Sequence, residues 1–110
     1  MQSEKHFENK VKAYLKAEGC WTLKTWGGGM QRSGIPDLLV CCNGYFLAIE
    51  LKAANGKPSE LQKWNIEKIQ KAGGIGLILY PDQFPQFKEL VELLKMAEGI
   101  SRRKEHESTL

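Results

Sequence analysis

The sequence predicts an α/β domain, a mixed sheet flanked by helices in the order α-β-β-β-α-β-α. Three features lead there: an apolar stripe at helical spacing opens the chain, two apolar runs meet at Asn43-Gly44, and the short buried segment GIGLILY falls between two further helical stretches. At 110 residues this is one domain, near the size at which a single core is adequate.

Residues 3 to 18 read as the first helix, because Phe7, Val11, Tyr14 and Leu15 share one face and Gly19 supplies a stop. The aromatic and β-branched run CWTLKTW, 20 to 26, reads as a strand. GGGMQRSG, 27 to 34, is too rich in glycine for regular structure and reads as a mobile loop. Strands at 37–42 and 45–51 follow, joined by Asn43-Gly44, since a type I′ turn needs positive φ at both central residues. After the loop AANGKP come a helix at about 60 to 72, a strand at 75–80 and a helix at about 84 to 98 that carries Phe87, Leu90, Val91 and Leu94. The fold therefore occupies residues 1–98. The segment 99–110 lacks apolar periodicity and reads as a disordered polar tail.

Composition narrows the function classes. Hydrophobic residues at 42% and charged residues at 26% are ordinary for a soluble globular chain. No apolar run approaches the ~20 residues that span a bilayer. The N-terminus MQSEKHFENK lacks the apolar core of a signal peptide, so the expected location is the cytoplasm, with no membrane partner. The three cysteines, Cys20, Cys41 and Cys42, show no zinc spacing and their odd number argues against a disulfide framework. They read as buried apolar residues. A net charge of +3 permits nucleic-acid binding without requiring it. Lys24, Arg32, Lys52 and Lys57 lie near the hairpin in sequence, and Arg102, Arg103 and Lys104 lie in the tail.

A two-residue turn at Asn43-Gly44 fixes the hairpin pairing, from Cys42 opposite Tyr45 outward to Leu38 opposite Ile49 and then Asp37 opposite Glu50. Side chains alternate along a strand, so Lys52 shares the face of Glu50. Two like charges placed directly across a sheet repel. Something positive must lie between them. Lys52 as a structural partner is one candidate; a divalent cation, which favours carboxylates, waters and phosphate oxygens, is the other.

Pro36-Asp37 followed by Glu50-Leu51-Lys52 resembles the signature of the PD-(D/E)XK nuclease superfamily. Gly34-Ile35-Pro36-Asp37 after a glycine-rich loop, the Asn-Gly hairpin, Ser59-x-x-Gln62 and Gly73-Gly74 sharpen this. Together, over roughly residues 4 to 80, they are similar to the stand-alone VRR-NUC domain of phages, a relative of archaeal Holliday-junction resolvases and restriction endonucleases. The resemblance implies a restriction-endonuclease-like core and, for a phage protein, a bacterial host cytoplasm. It implies that Asp37, Glu50 and the Leu51 backbone carbonyl ligate Mg²⁺ or Mn²⁺, with Glu8 completing the acidic site directly or through water. Lys52 would orient or activate the attacking water, and Gln62 would project toward that lysine. Phosphodiester hydrolysis suits these residue types, since a metal lowers the pKa of bound water and a lysine offsets developing charge.

Each residue also has an ordinary reading. Gln62 stands three after Ser59, which makes a capping box, and both roles can hold. Glu8 can pair with Lys12 at i+4. The contacts expected for DNA are Lys24, Gln31, Arg32 and Lys57, although the loop containing Gln31 and Arg32 can serve as plain linkage. Trp21, Trp26 and Trp64 read as core rather than as stacking platforms, and His6 and His106 have no ligand or triad spacing. The expected activity is a metal-dependent, structure-specific DNA endonuclease acting on branched DNA such as Holliday junctions. Paired nicks by one-site chains would need a homodimer. The alternative is a catalytically silent nucleic-acid-binding module with the same fold.

Overall fold

The computed structural model describes residues 3–26 and 34–97. The expectations for the loop 27–33, including Gln31 and Arg32, and for the tail fall outside these residues.

The first helix, α1 (Glu4–Ala17), begins at Ser3, whose hydroxyl accepts from the His6 N–H at 3.1 Å. Its stripe Phe7, Val11 and Leu15 is fully buried, and Gly19 leaves the helix at φ 81°. Four strands follow the expected order: β1 (Trp21–Lys24), β2 (Leu38–Cys42), β3 (Tyr45–Leu51) and, after helix α2 (Glu60–Lys71), β4 (Ile75–Leu79). A short 3-10 turn, Pro81–Gln83, leads into α3 (Phe84–Met96). The sheet runs β1-β2-β3-β4, antiparallel at the first two pairings and parallel between β3 and β4.

The hairpin register is the expected one, from Cys42↔Tyr45 to Leu38↔Ile49, with Asn43 and Gly44 at φ 51° and 86°. Asn43 does a second job. Its side-chain amide donates to the Leu94 and Ala97 carbonyls at 2.8 and 2.9 Å, closing the end of α3 on the hairpin.

Alternation divides the sheet into two unlike faces. Leu38, Val40, Cys42, Leu47, Ile49 and Leu51 pack against α1 and α3 in the main core, with Phe7, Phe84, Phe87 and Val91. On the other face α2 lies over β3 and β4 through Ile66. Gly76 permits that approach: a Cβ there would stand 2.9 Å from the Ile66 carbonyl oxygen. Among the described residues, no helix covers the part of this face over β1 and β2.

Four expectations about burial are therefore corrected. Trp21, Trp26 and Trp64 are exposed, at 61%, 78% and 49%, and Cys41 is exposed as well. Trp21 pairs with Cys41, and Cys41 with Phe46, so these side chains form a row on the uncovered face. Trp64 lies on the outward side of α2, with the Lys68 ammonium 5.2 Å from its ring centre. Apolar character alone does not reveal whether a second layer covers a strand.

Candidate active site

The acids expected at the strand ends do converge, Asp37 held by backbone and Glu50 by side chains. Asp37 is one residue before β2. Its backbone carbonyl accepts from the Thr25 N–H at 2.9 Å, while the Thr25 hydroxyl donates to the Pro36 and Asp37 carbonyls at 2.7 and 3.2 Å. Gly34 fits beneath α2, where a Cβ would strike the Leu61 side chain at 2.7 Å, and the Asn65 amide donates to its carbonyl at 2.9 Å. So anchored, Asp37 turns one carboxylate oxygen, Oδ2, onto the Leu51 N–H at 2.8 Å.

Glu50 lies within β3, only 2% exposed, facing α2. Its Oε2 accepts from the Gln62 amide at 2.6 Å and lies 3.4 Å from the Lys52 ammonium. Its Oε1 is buried with no hydrogen-bond partner among the described residues. Burial pushes the Glu50 carboxyl up to about 7; the Asp37 charge adds to this and Lys52 opposes it. The Asp37 charge thus acts on Glu50 in the direction read from the hairpin register, second to burial.

Gln62 fills both roles open to it. Its carbonyl oxygen accepts from the Ser59 N–H at 2.8 Å, completing the capping box of α2, and its amide nitrogen donates to Glu50. The cap aims the amide. Gln62 reaches the carboxylate, whereas the sequence reading directs it toward Lys52. Lys52 itself is largely enclosed, its side chain 13% exposed, and its N–H donates to the Leu79 carbonyl on β4.

Glu8 is buried on α1 and linked to Asp37 through a lysine. The Lys24 ammonium lies 3.0 Å from Glu8 Oε1 and 3.6 Å from Asp37 Oδ1. Lys12 and Lys5 approach Glu8 Oε2 at 3.2 and 3.3 Å. Burial pushes the Glu8 carboxyl up, yet Lys24, Lys12 and Lys5 outweigh it and hold the group below the ordinary carboxylate range. Of the expected DNA contacts, Lys24 is engaged with these acids and Lys57 is exposed on the loop after β3.

These donors fit a hard divalent cation. Two carboxylates, each with one oxygen already positioned by an N–H donor, offer the remaining oxygens, and Glu50 Oε1 has nothing else to bind. Among the described residues no three Asp, Glu, His or Cys side chains come together as a metal cluster, so carbonyl, water or phosphate oxygens would have to complete the shell. Thr25 and Asn65 are positioning residues absent from the sequence reading. Their roles depend on the β1–β2 register and on how α2 meets Gly34, neither of which is fixed by a short turn.

The chain and its fold have known relatives. The family described as archaeal Holliday junction resolvase (Hjc) matches residues 2–80. A solved structure titled VRR_NUC domain superimposes with a TM-score of 0.67 and 29% identity, covering 84% of this chain and 97% of that one. No curated protein matches the chain.

Proposed function

We propose that this chain, which belongs to the archaeal Holliday junction resolvase (Hjc) family, is a divalent-metal-dependent endonuclease that hydrolyses phosphodiester bonds in branched DNA. One observation carries the reading: a buried carboxylate, Glu50, keeps an unpartnered oxygen beside Asp37 and Lys52. An idle buried charge of this kind is costly unless something binds it.

In this reading Asp37, Glu50 and the Leu51 carbonyl hold Mg²⁺ or Mn²⁺, with Glu8 contributing through water. The bound ion supplies a Lewis acid for the phosphate and lowers the pKa of the attacking water. The Leu51 N–H and the Gln62 amide fix the orientation of the two carboxylates. Lys52, held within 3.4 Å of Glu50, directs its ammonium at the water and at charge developing on the phosphate. Lys57, Gln31 and Arg32 are assigned to the DNA backbone, which supplies binding without sequence preference. Two symmetric nicks across a four-way junction require two such chains, so the active species is a homodimer.

The test is cleavage of end-labelled linear, flap and four-way-junction DNA in Mg²⁺, Mn²⁺ or EDTA. Metal-dependent cuts on the branched substrates, and few on linear duplex, are expected. Binding of junctions without cleavage in any metal would instead favour a catalytically silent module.

A further inference from the structure

Lys24 stands apart from the other lysines around Glu8. Lys5 and Lys12 are helix neighbours of Glu8, three and four residues away on α1. Lys24 arrives from β1, and its ammonium is shared by acids from two different elements, Glu8 Oε1 at 3.0 Å and Asp37 Oδ1 at 3.6 Å. Asp37 has already committed Oδ2 to the Leu51 N–H, so the Lys24 ammonium lies beside the carboxylate oxygen left for a ligand. At the same sheet end the other acid, 98% buried, leaves Glu50 Oε1 bare.

We propose that the Lys24 ammonium is a built-in counter-cation, holding the Asp37 oxygen in the metal-free protein, and that a divalent ion must displace it to bind. Lys24 thereby sets the metal affinity of the site. The inference rests on the metal site assigned above. A divalent ion held by Asp37 Oδ1 would place two further positive charges beside the Lys24 ammonium, and that repulsion favours withdrawal of Lys24 toward Glu8. Lys24 is able to yield: its side chain is 33% exposed and carries a flexible four-carbon stem. It can also keep Glu8 after leaving Asp37, so displacement costs one of its two contacts. Lys52 differs, being largely enclosed and paired with the oxygen of Glu50 that Gln62 also holds.

Mn²⁺ affinity measured by calorimetry on the whole chain tests this, with Lys24→Met and Lys12→Met compared. Exposed ion pairs are weak, so Lys24→Met is expected to tighten Mn²⁺ binding by about three- to tenfold. Its melting temperature in EDTA should fall, because Glu8 and Asp37 lose their shared cation. Lys12→Met removes the same charge from Glu8 without touching Asp37 and should change affinity by less than about twofold. In the wild type, the side-chain ammonium NMR signal of Lys24 should shift on Mg²⁺ addition while that of Lys12 stays; this readout stands even where Lys24→Met does not fold. Equal or weaker Mn²⁺ binding by Lys24→Met overturns the proposal, as does equal tightening by Lys12→Met or an unmoved Lys24 signal. A wild type that binds neither ion overturns the metal site itself as well; a wild type that binds normally with an indifferent Lys24 overturns only the counter-cation.

Discussion

Glu50 joins the chemistry of the site to its stability. Folding buries its carboxylate next to Asp37, and the group holds its proton up to about 7 rather than the ordinary 4.5. Between those values the folded protein binds more protons than the unfolded chain, so stability falls as pH rises through that window and levels off above it. Glu50→Gln keeps the shape and removes the charge. In EDTA at pH 8 it should be more stable than the wild type by about 2 kcal/mol, and its stability should lack that decline. Urea midpoints from pH 4.5 to 8 check this; parallel curves for the two proteins would mean that the carboxylate is not strained. The same substitution should abolish the rise in melting temperature that Mn²⁺ produces in the wild type, since the ion binds only the folded site. Asp37 is a less clean probe. Its repulsion of Glu50 is set against the contact with Lys24, so removal of its charge acts in both directions.

Among the elements, α2 carries the site's most exacting placement, because the Ser59 cap and the Ile66 contact together aim Gln62 at Glu50. Gly76→Ala puts a methyl group against the Ile66 carbonyl and forces α2 outward. A loss of about 1–3 kcal/mol is expected, with a fall in cleavage exceeding any fall in DNA binding; denaturant melts and gel shifts in Ca²⁺ measure the two. An unaltered cleavage rate would show that Gln62 needs no such positioning. The elements also show how far the amino acids alone can be read. The hairpin register was legible to the residue because Asn43-Gly44 strongly favours one turn geometry, and its continuation beyond Leu38↔Ile49 brings the Asp37 charge to act on Glu50. The capping box placed Gln62 for the same local reason. The β1–β2 register was not legible, since a long connection rather than a tight turn joins those strands, and with it went Thr25 and the pairing of Lys24. The exposure of Trp21 escaped because it depends on where α2 stops covering the sheet, and that of Trp64 because it depends on which side of α2 meets the sheet.

Over the whole molecule, the row Trp21, Cys41 and Phe46, with Leu23 beside it, is an exposed apolar patch among the described residues. A homodimer built on this row would bury it against a second copy. Trp21→Glu, at an exposed position, should leave the fold intact, convert a dimer to a monomer in sedimentation, and replace paired nicks on a junction with single ones. A wild type that is monomeric at concentrations where it resolves junctions would exclude that arrangement. Binding and chemistry draw on different residues in this account, because Lys57 and Arg32 are assigned to the phosphates whereas the Lys52 ammonium is assigned to the attacking water. The most direct test is therefore single-turnover cleavage of a four-way junction in Mn²⁺ by the wild type and Lys52→Ala, paired with gel shifts in Ca²⁺. The account predicts a fall of about a hundredfold or more in cleavage, with junction affinity kept within a few-fold; cleavage by Lys52→Ala at a rate near the wild type would contradict it.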